Sequence, residues 1–303
     1  MTRSSIACRR AGGHWWLATL AALLALSAQA SDRYWPPIVD PPTGQHTPGR
    51  FVWGDLVTAD VAAAAGFYGK VFGWTFETYG GEDDRDTYTL ALADGLPIGG
   101  MVFDQRAMKG TTPSARWVGL ISVADVKASA AAVTVGGGTV VYAPVMLGER
   151  GETAVFKDPE GVVFGVVNSK NGDPADYAGD LNEWYWIDLW TSDVEKAAAF
   201  YRSVVGFETL PIADEGPRSG LHLLSGGFAR AGIMQKQSKQ SSATWLPYIR
   251  VADARASTEA AKAAGGKVLL EPLTMNRATV AIIADPTGAP VGIVQVSTPE
   301  AQP

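Results

Sequence analysis

The chain has one cysteine and three histidines among 303 residues, and that scarcity bounds its chemistry before any motif is read. Cys8 is the only thiol, and it falls within residues 1–30, which read as a leader. The rest of the chain then has no disulfide, no cysteine nucleophile and no thiolate metal ligand. His14 lies in the same leader and His46 in a Pro-rich stretch, so His222 is the one histidine inside the regular pattern. Two histidines and a carboxylate therefore cannot be assembled from one such core, unless a flexible linker or a second chain contributes. Basic runs are missing as well. The formal charge is −6, and loss of Arg3, Arg9 and Arg10 with the leader takes it to −9. An acidic chain without a basic stretch is a poor partner for nucleic acid or an anionic membrane. There is no phosphate loop, since Gly136-Gly137-Gly138 closes a helix and does not open one, and nothing resembles a nucleophile elbow.

What is present begins with an export signal. Arg3, Arg9 and Arg10 form a positive region, "WWLATLAALLALSA" an apolar one, and Ala28-Gln29-Ala30 a small-x-small cleavage site. The apolar stretch is short for a span of about 20 residues. An uncleaved anchor is the other reading, and Arg9-Arg10 leaves twin-arginine export open beside the general route. The expectation is a periplasmic or secreted protein, off the membrane after cleavage, as a monomer or homodimer.

Residues 31–50 are rich in Pro and polar residues and read as a linker. From Phe51 the pattern is regular. "FVWGDLV" has strand composition, Asp60 can cap a helix through "VAAAAGFYGKVFG", and three short strands follow. The order restarts at "RWVGLISVAD", where Asp125 stands in the capping place. Before its last strand lies Asp158-Pro159-Glu160-Gly161, which has the residues of a type I turn. Both units then recur. "WYWIDLWTSD" repeats "FVWGDLVTAD" at an offset of 133, "TWLPYIRVAD" repeats "RWVGLISVAD" at 128, and Asp285-Pro286-Thr287-Gly288 repeats the turn at 127. The pattern predicts an α+β chain of four βαβββ modules in two domains, 51–168 and 183–297, with a linker over 169–182 and a tail over 298–303.

Four such modules, the "FY…VFGW" helix and the "DPEG" or "DPTG" turn resemble the vicinal oxygen chelate superfamily, the glyoxalase, bleomycin-resistance and extradiol-dioxygenase group. The resemblance covers about residues 51–297. It implies modules that pair into two open, cup-like mixed-sheet barrels. Many members hold a divalent metal through His or Gln on a module's first strand and Glu on its last. Here those positions fall on Trp53 and Trp186, and on Gly165 and Gly292, none of which can ligate through a side chain. No metal and no other cofactor is expected.

Function must then rest on other groups. Asp55 and Asp188 follow the two tryptophans by two residues, so strand alternation puts each carboxylate on its tryptophan's face. Each cup would offer an aromatic wall beside a carboxylate, suited to a planar or cationic small molecule, or to acid/base work with a raised pKa. The alternative is a plain core tryptophan beside a structural aspartate. Arg150 and Arg277 both stand eight residues before a turn aspartate. They could anchor a ligand anion or pair with Asp55 and Asp188. Trp117 and Trp245 are further candidates for lining a cleft. His222, a further catalytic candidate beside Asp55 and Asp188, has no counterpart in the first half, where Leu90 aligns with it. The reading is a small-molecule binding protein without the family's usual metal site. A lyase, isomerase or dioxygenase-type enzyme is the rival, either metal-independent through Asp55 or Asp188, or with metal ligands not recognised in the sequence.

Overall fold

The computed structural model describes residues 34–81, 87–105, 115–176, 179–212, 220–236, 238, 241–275 and 278–296. The leader over 1–30, the tail over 298–303 and Arg277 lie outside the described residues. The first module runs β1 (Phe51–Thr58), α1 (Val61–Phe72), β2 (Thr75–Tyr79), β3 (Tyr88–Ala93) and β4 (Leu96–Phe103). The second runs β5 (Arg116–Ser122), α2 (Val126–Val135), β6 (Thr139–Leu147), β7 (Gly151–Lys157) and β8 (Val163–Ser169). The third has β9 (Trp184–Thr191), α3 (Val194–Val205), β10 (Glu208–Pro211), β11 (Gly220–Ser225) and β12 (Phe228–Gln235). The fourth has β13 (Thr244–Arg250), α4 (Ala254–Ala263), β14 (Lys267–Met275), β15 (Ala278–Ala284) and β16 (Pro290–Val296).

Each of the four described helices starts for the same local reason. Asp60, Asp125, Asp193 and Asp253 each accept a hydrogen bond from a backbone N–H in the first turn, satisfying a donor that the helix leaves open. Gly73 and Gly206 end α1 and α3 in the left-handed conformation that a glycine takes without steric cost.

The modules pair into two open eight-stranded sheets, not closed barrels. The orders are β2-β3-β4-β1-β5-β8-β7-β6 and β10-β11-β12-β9-β13-β16-β15-β14. In each sheet the first strands of the two modules, β1 with β5 and β9 with β13, run antiparallel at the centre. The helices cover one face of each sheet and pack across the halves. Phe67 and Tyr68 of α1 share a core with Ala254 and Ala261 of α4, while Val126 and Val133 of α2 share one with Phe200, Tyr201 and Val204 of α3. The two repeats are therefore fused through common cores, in which each helix is covered by its own sheet and by a helix of the other half.

The duplicated motifs explain how the halves lock. Asp158 uses one carboxylate oxygen to accept from the Glu160 and Val162 backbone, closing its own turn. Its other oxygen accepts at 3.2 Å from the Tyr201 hydroxyl of the opposite half, which itself accepts from Trp245 Nε1 at 2.9 Å. Asp285 closes its turn the same way, and Tyr68 stands opposite it, accepting from Trp117 Nε1 at 2.7 Å. Burial raises both tyrosine pKa values well above the ordinary phenol range, and the facing carboxylate adds to the rise. The second copy is looser, because Asp285 Oδ2 has no close partner.

The segment read as a linker is packed. Trp35 and Ile38 lie against the first sheet's free face, Thr43 and Thr47 bond to Asp173, and Arg50 donates to the carbonyl of Pro174. Asp173, which is buried, also accepts from Ser122 and Ser169, so it ties the inter-half segment to this strap. Loss of a hydrogen bond to a buried charged group costs about 1.5–3 kcal/mol. Tyr201→Phe should therefore destabilise by about that amount and Tyr68→Phe by less, measured by chemical denaturation. Equal effects would contradict the tighter lock at Asp158.

Candidate functional site

The sheet faces turned away from the helices form the two cups. In the first, Trp53 and Asp55 on β1 are both buried, and three further groups close over them. Arg150, fully buried, donates to Asp55 Oδ2 at 2.7 Å and to the Tyr88 hydroxyl at 2.6 Å. Tyr88 donates to Asp55 Oδ1 at 2.6 Å, and Trp53 Nε1 donates to the same oxygen at 3.0 Å. The guanidinium carbon also lies 4.9 Å from the ring centres of Trp35 and Tyr88 and 5.3 Å from that of Trp53. Burial pulls the Arg150 pKa down, but the adjacent Asp55 carboxylate and Tyr88 outweigh it and hold it above the ordinary value. Burial drives the Tyr88 phenol far up, so it stays a neutral donor. The first cup is filled by its own side chains, and Arg150 serves there as the structural partner of Asp55.

The second cup has the same start and a different finish. Trp186, Asp188 and Trp190 alternate onto the free face of β9 and remain half-buried. Trp186 Nε1 donates to Asp188 Oδ1 at 2.8 Å, and Tyr248 on β13 also hydrogen-bonds this carboxylate. Burial raises the Asp188 pKa to about 6, against the pull of those two bonds. Among the described residues no cation pairs with it. His222 on β11 and Asp188 on β9 flank Gly232 on β12 in one row, and the Asp188 carboxylate lies over that glycine. The His222 ring meets Trp186 edge-on with centres 6.0 Å apart, and burial lowers its pKa. Its Nδ1 and Trp190 Nε1 are shielded from water with no partner among the described residues.

Four substitutions between the copies account for the difference. The register aligns His222 with Leu90 and Tyr248 with Leu120. The repeat offset sets Trp190 against Val57, and Gly220 takes the place of Tyr88, two residues before the aligned pair. The first cup gains the tyrosine that reaches over to Asp55, whereas the second gains polar-tipped rings and loses the closing one. Trp190 and Tyr248 were not legible as site residues in one copy alone; their mismatch with Val57 and Leu120 is the signal that could have found them. Trp117 and Trp245 turn the other way, into the helix-side cores, where their indole nitrogens bond Tyr68 and Tyr201.

The cup residues do not fit a chelated metal. The last strand of each module presents a glycine to the cup: Gly100, Gly165, Gly232 and Gly292. A Cβ at these positions would collide with the Tyr88 hydroxyl, the Leu120 side chain, the Asp188 carboxylate and the Tyr248 ring respectively. A glutamate at Gly100 or Gly292 would have to displace a tyrosine ring, and one at Gly165 or Gly232 would have to push aside Leu120 or Asp188. No group of three His, Cys, Asp or Glu side chains is placed to hold a metal among the described residues. A cleft of about 580 Å³ runs between the halves, lined in part by Trp53, Trp117, Trp184, Trp186, Phe228 and Arg230, so it adjoins both cups at their tryptophans. Neither Asp188 nor His222 reaches it, and Arg50 and Arg230 at its rim both pair with Asp176.

The fold agrees with that of the chain's relatives. The family model described as the Glyoxalase/Bleomycin resistance protein/Dioxygenase superfamily matches residues 185–293, and one for a bleomycin resistance protein-like N-terminal region matches residues 50–79. The anthracycline biosynthesis protein DauV of Streptomyces sp. (strain C5) is 30% identical over 264 residues, covering 82% of this chain and 94% of that protein. The provisionally named glyoxylase CFP32 of Mycobacterium tuberculosis is 28% identical over 251 residues, covering 82% and 95%. The crystal structure of the Mn(II)-bound glyoxalase from Novosphingobium aromaticivorans superposes with a TM-score of 0.56 at 17% identity, over 84% of this chain and 86% of that one. The chain belongs to the glyoxalase/bleomycin resistance/dioxygenase superfamily.

The two aspartates should respond oppositely to the same change. Asp55→Asn leaves Arg150 buried without its counter-charge and should cost about 3–5 kcal/mol. Asp188 holds its proton more tightly folded than unfolded, so its charge destabilises the fold increasingly as pH rises from 3.8 through about 6. Asp188→Asn should therefore raise the melting temperature at pH 8, with the gain vanishing near pH 4. A loss of stability at pH 8 would contradict this assignment.

Proposed function

We propose that the protein binds a small, flat organic molecule in the second cup, without a chelated metal, and that the first cup is structural. The observation that carries this reading is the contrast between the copies. Where the first cup has Tyr88, Arg150 and Trp35 packed over its carboxylate, the second leaves Trp186, Asp188 and Trp190 half-buried around theirs. Aromatic walls with a few convergent polar groups are the usual make-up of a small-molecule site. The relatives' names support it: the fused rings of an anthracycline are a flat aromatic surface of the kind these walls would face. Leader removal would place the protein in the periplasm or outside the cell, where it would sequester or carry such a compound.

One observation favours an enzymatic reading beside this one. A carboxyl titrating near pH 6 suits acceptance of a proton from a bound ligand, the step that a metal-independent isomerase or lyase needs. In that case Asp188→Asn would bind ligand and lose turnover.

The binding reading is tested by titrating a planar probe, 1,4-dihydroxyanthraquinone, against tryptophan fluorescence. Saturable quenching at one site is expected, weakened about tenfold or more by Trp186→Ala and also by Trp190→Ala, the latter at a position that does not line the cleft, since aromatic contacts are worth about 0.5–1.5 kcal/mol beyond the area they bury. Trp53→Phe should leave it unchanged. Quenching that never saturates, or that survives Trp186→Ala at full strength, would refute the assignment.

A further inference from the structure

The first cup shows what completes a site of this design. A carboxylate bonded by the tryptophan two residues before it and by a tyrosine hydroxyl receives a planar cation, and the cation is enclosed by aromatic rings. In the first half the chain supplies every part: Asp55, Trp53, Tyr88, the Arg150 guanidinium and Trp35. The second half repeats the carboxylate, its tryptophan and a tyrosine, now from β13, as Asp188, Trp186 and Tyr248. It adds a second indole, Trp190. No described residue delivers a cation to Asp188.

We infer that the ligand of the second cup is an aromatic organic cation whose ammonium or amidinium group pairs with Asp188 while its ring lies against Trp186 and Trp190. This rests on the binding function proposed above and names the charge of the ligand. A cation near aromatic faces gains from the ring quadrupoles, and more so where water is excluded. The same cation relieves the desolvated carboxylate, the role Arg150 performs in the other cup. An anionic aromatic would instead face Asp188 with like charge. Among the described residues, the titratable groups beside Asp188 are His222 on β11, whose charged form burial disfavours, and Tyr248 on β13, which donates to the carboxylate; Arg230 on β12 pairs with Asp176 and Arg250 on β13 donates to the Gly179 carbonyl, so none supplies the missing charge. Arg277, the repeat's counterpart of Arg150, lies outside the described residues.

The experiment is calorimetric titration of the exported protein at pH 8 with a matched pair of probes, 2-(1-naphthyl)ethylammonium and 2-(1-naphthyl)ethanol. The ammonium should bind about tenfold or more tightly than the alcohol. That preference should disappear in Asp188→Asn, a variant whose fold is checked by its melting temperature, and persist in Arg277→Gln. Equal affinity for the two probes would overturn the charge assignment and leave the aromatic site standing. A preference seen only in Arg277→Gln would overturn it too, because the chain would then neutralise Asp188 itself. Failure of both probes to bind would refute the binding function along with it.

Discussion

A carboxylate placed on an aromatic sheet face, away from water, is costly as an anion unless something answers its charge. Both halves of this chain contain that arrangement, two residues after a tryptophan on a central strand. Much of what distinguishes the halves follows from how the cost is met. In the first, Arg150 is buried completely and the Pro-rich strap carries Trp35 onto it, so the pair becomes a fixed part of the core. In the second, the carboxyl responds by holding its proton to a higher pH. One copy has spent its cup on stability, and the other has kept a strained group at a half-open face, as binding sites commonly do.

Such divergence is tolerated because the architecture does not depend on either cup. The halves are joined on the opposite side of the sheets, where each helix buries itself against a helix of the other half. The conserved-looking elements of the repeat belong to that junction. The Asp-Pro-x-Gly aspartate closes its own turn with one oxygen and, at Asp158, receives a tyrosine from across the interface with the other. A repeated helix and a repeated turn are thus two parts of one lock. The cup faces were free to differ at Leu90 and His222, or at Leu120 and Tyr248, without disturbing it.

The fold was almost fully legible in the sequence, because it is written in local signals that occur four times: a capping aspartate, a helical stripe, a glycine stop. The cup contents were only partly legible. Alternation correctly placed Trp53 with Asp55 and Trp186 with Asp188, since both pairs lie two apart on one strand. It could not tell which face Trp117 and Trp245 take, because one register step reverses the face and the anchors, Tyr68 and Tyr201, are distant in sequence. Nor could composition reveal that the Pro-rich strap seals the first cup, since prolines mark irregular backbone whether it is packed or free. The pairing of Asp55 with Arg150 spans 95 residues and needed the structure to choose between a bridge and a ligand anchor.

The most direct test of this account is a crystal structure of the protein with a planar aromatic ammonium bound. The account requires one ligand per chain, seated between Trp186 and Trp190 with its cation on Asp188, and Trp35 still lying on Arg150. A ligand in the first cup with Trp35 displaced, or one in the cleft between the halves with the second cup empty, would contradict it.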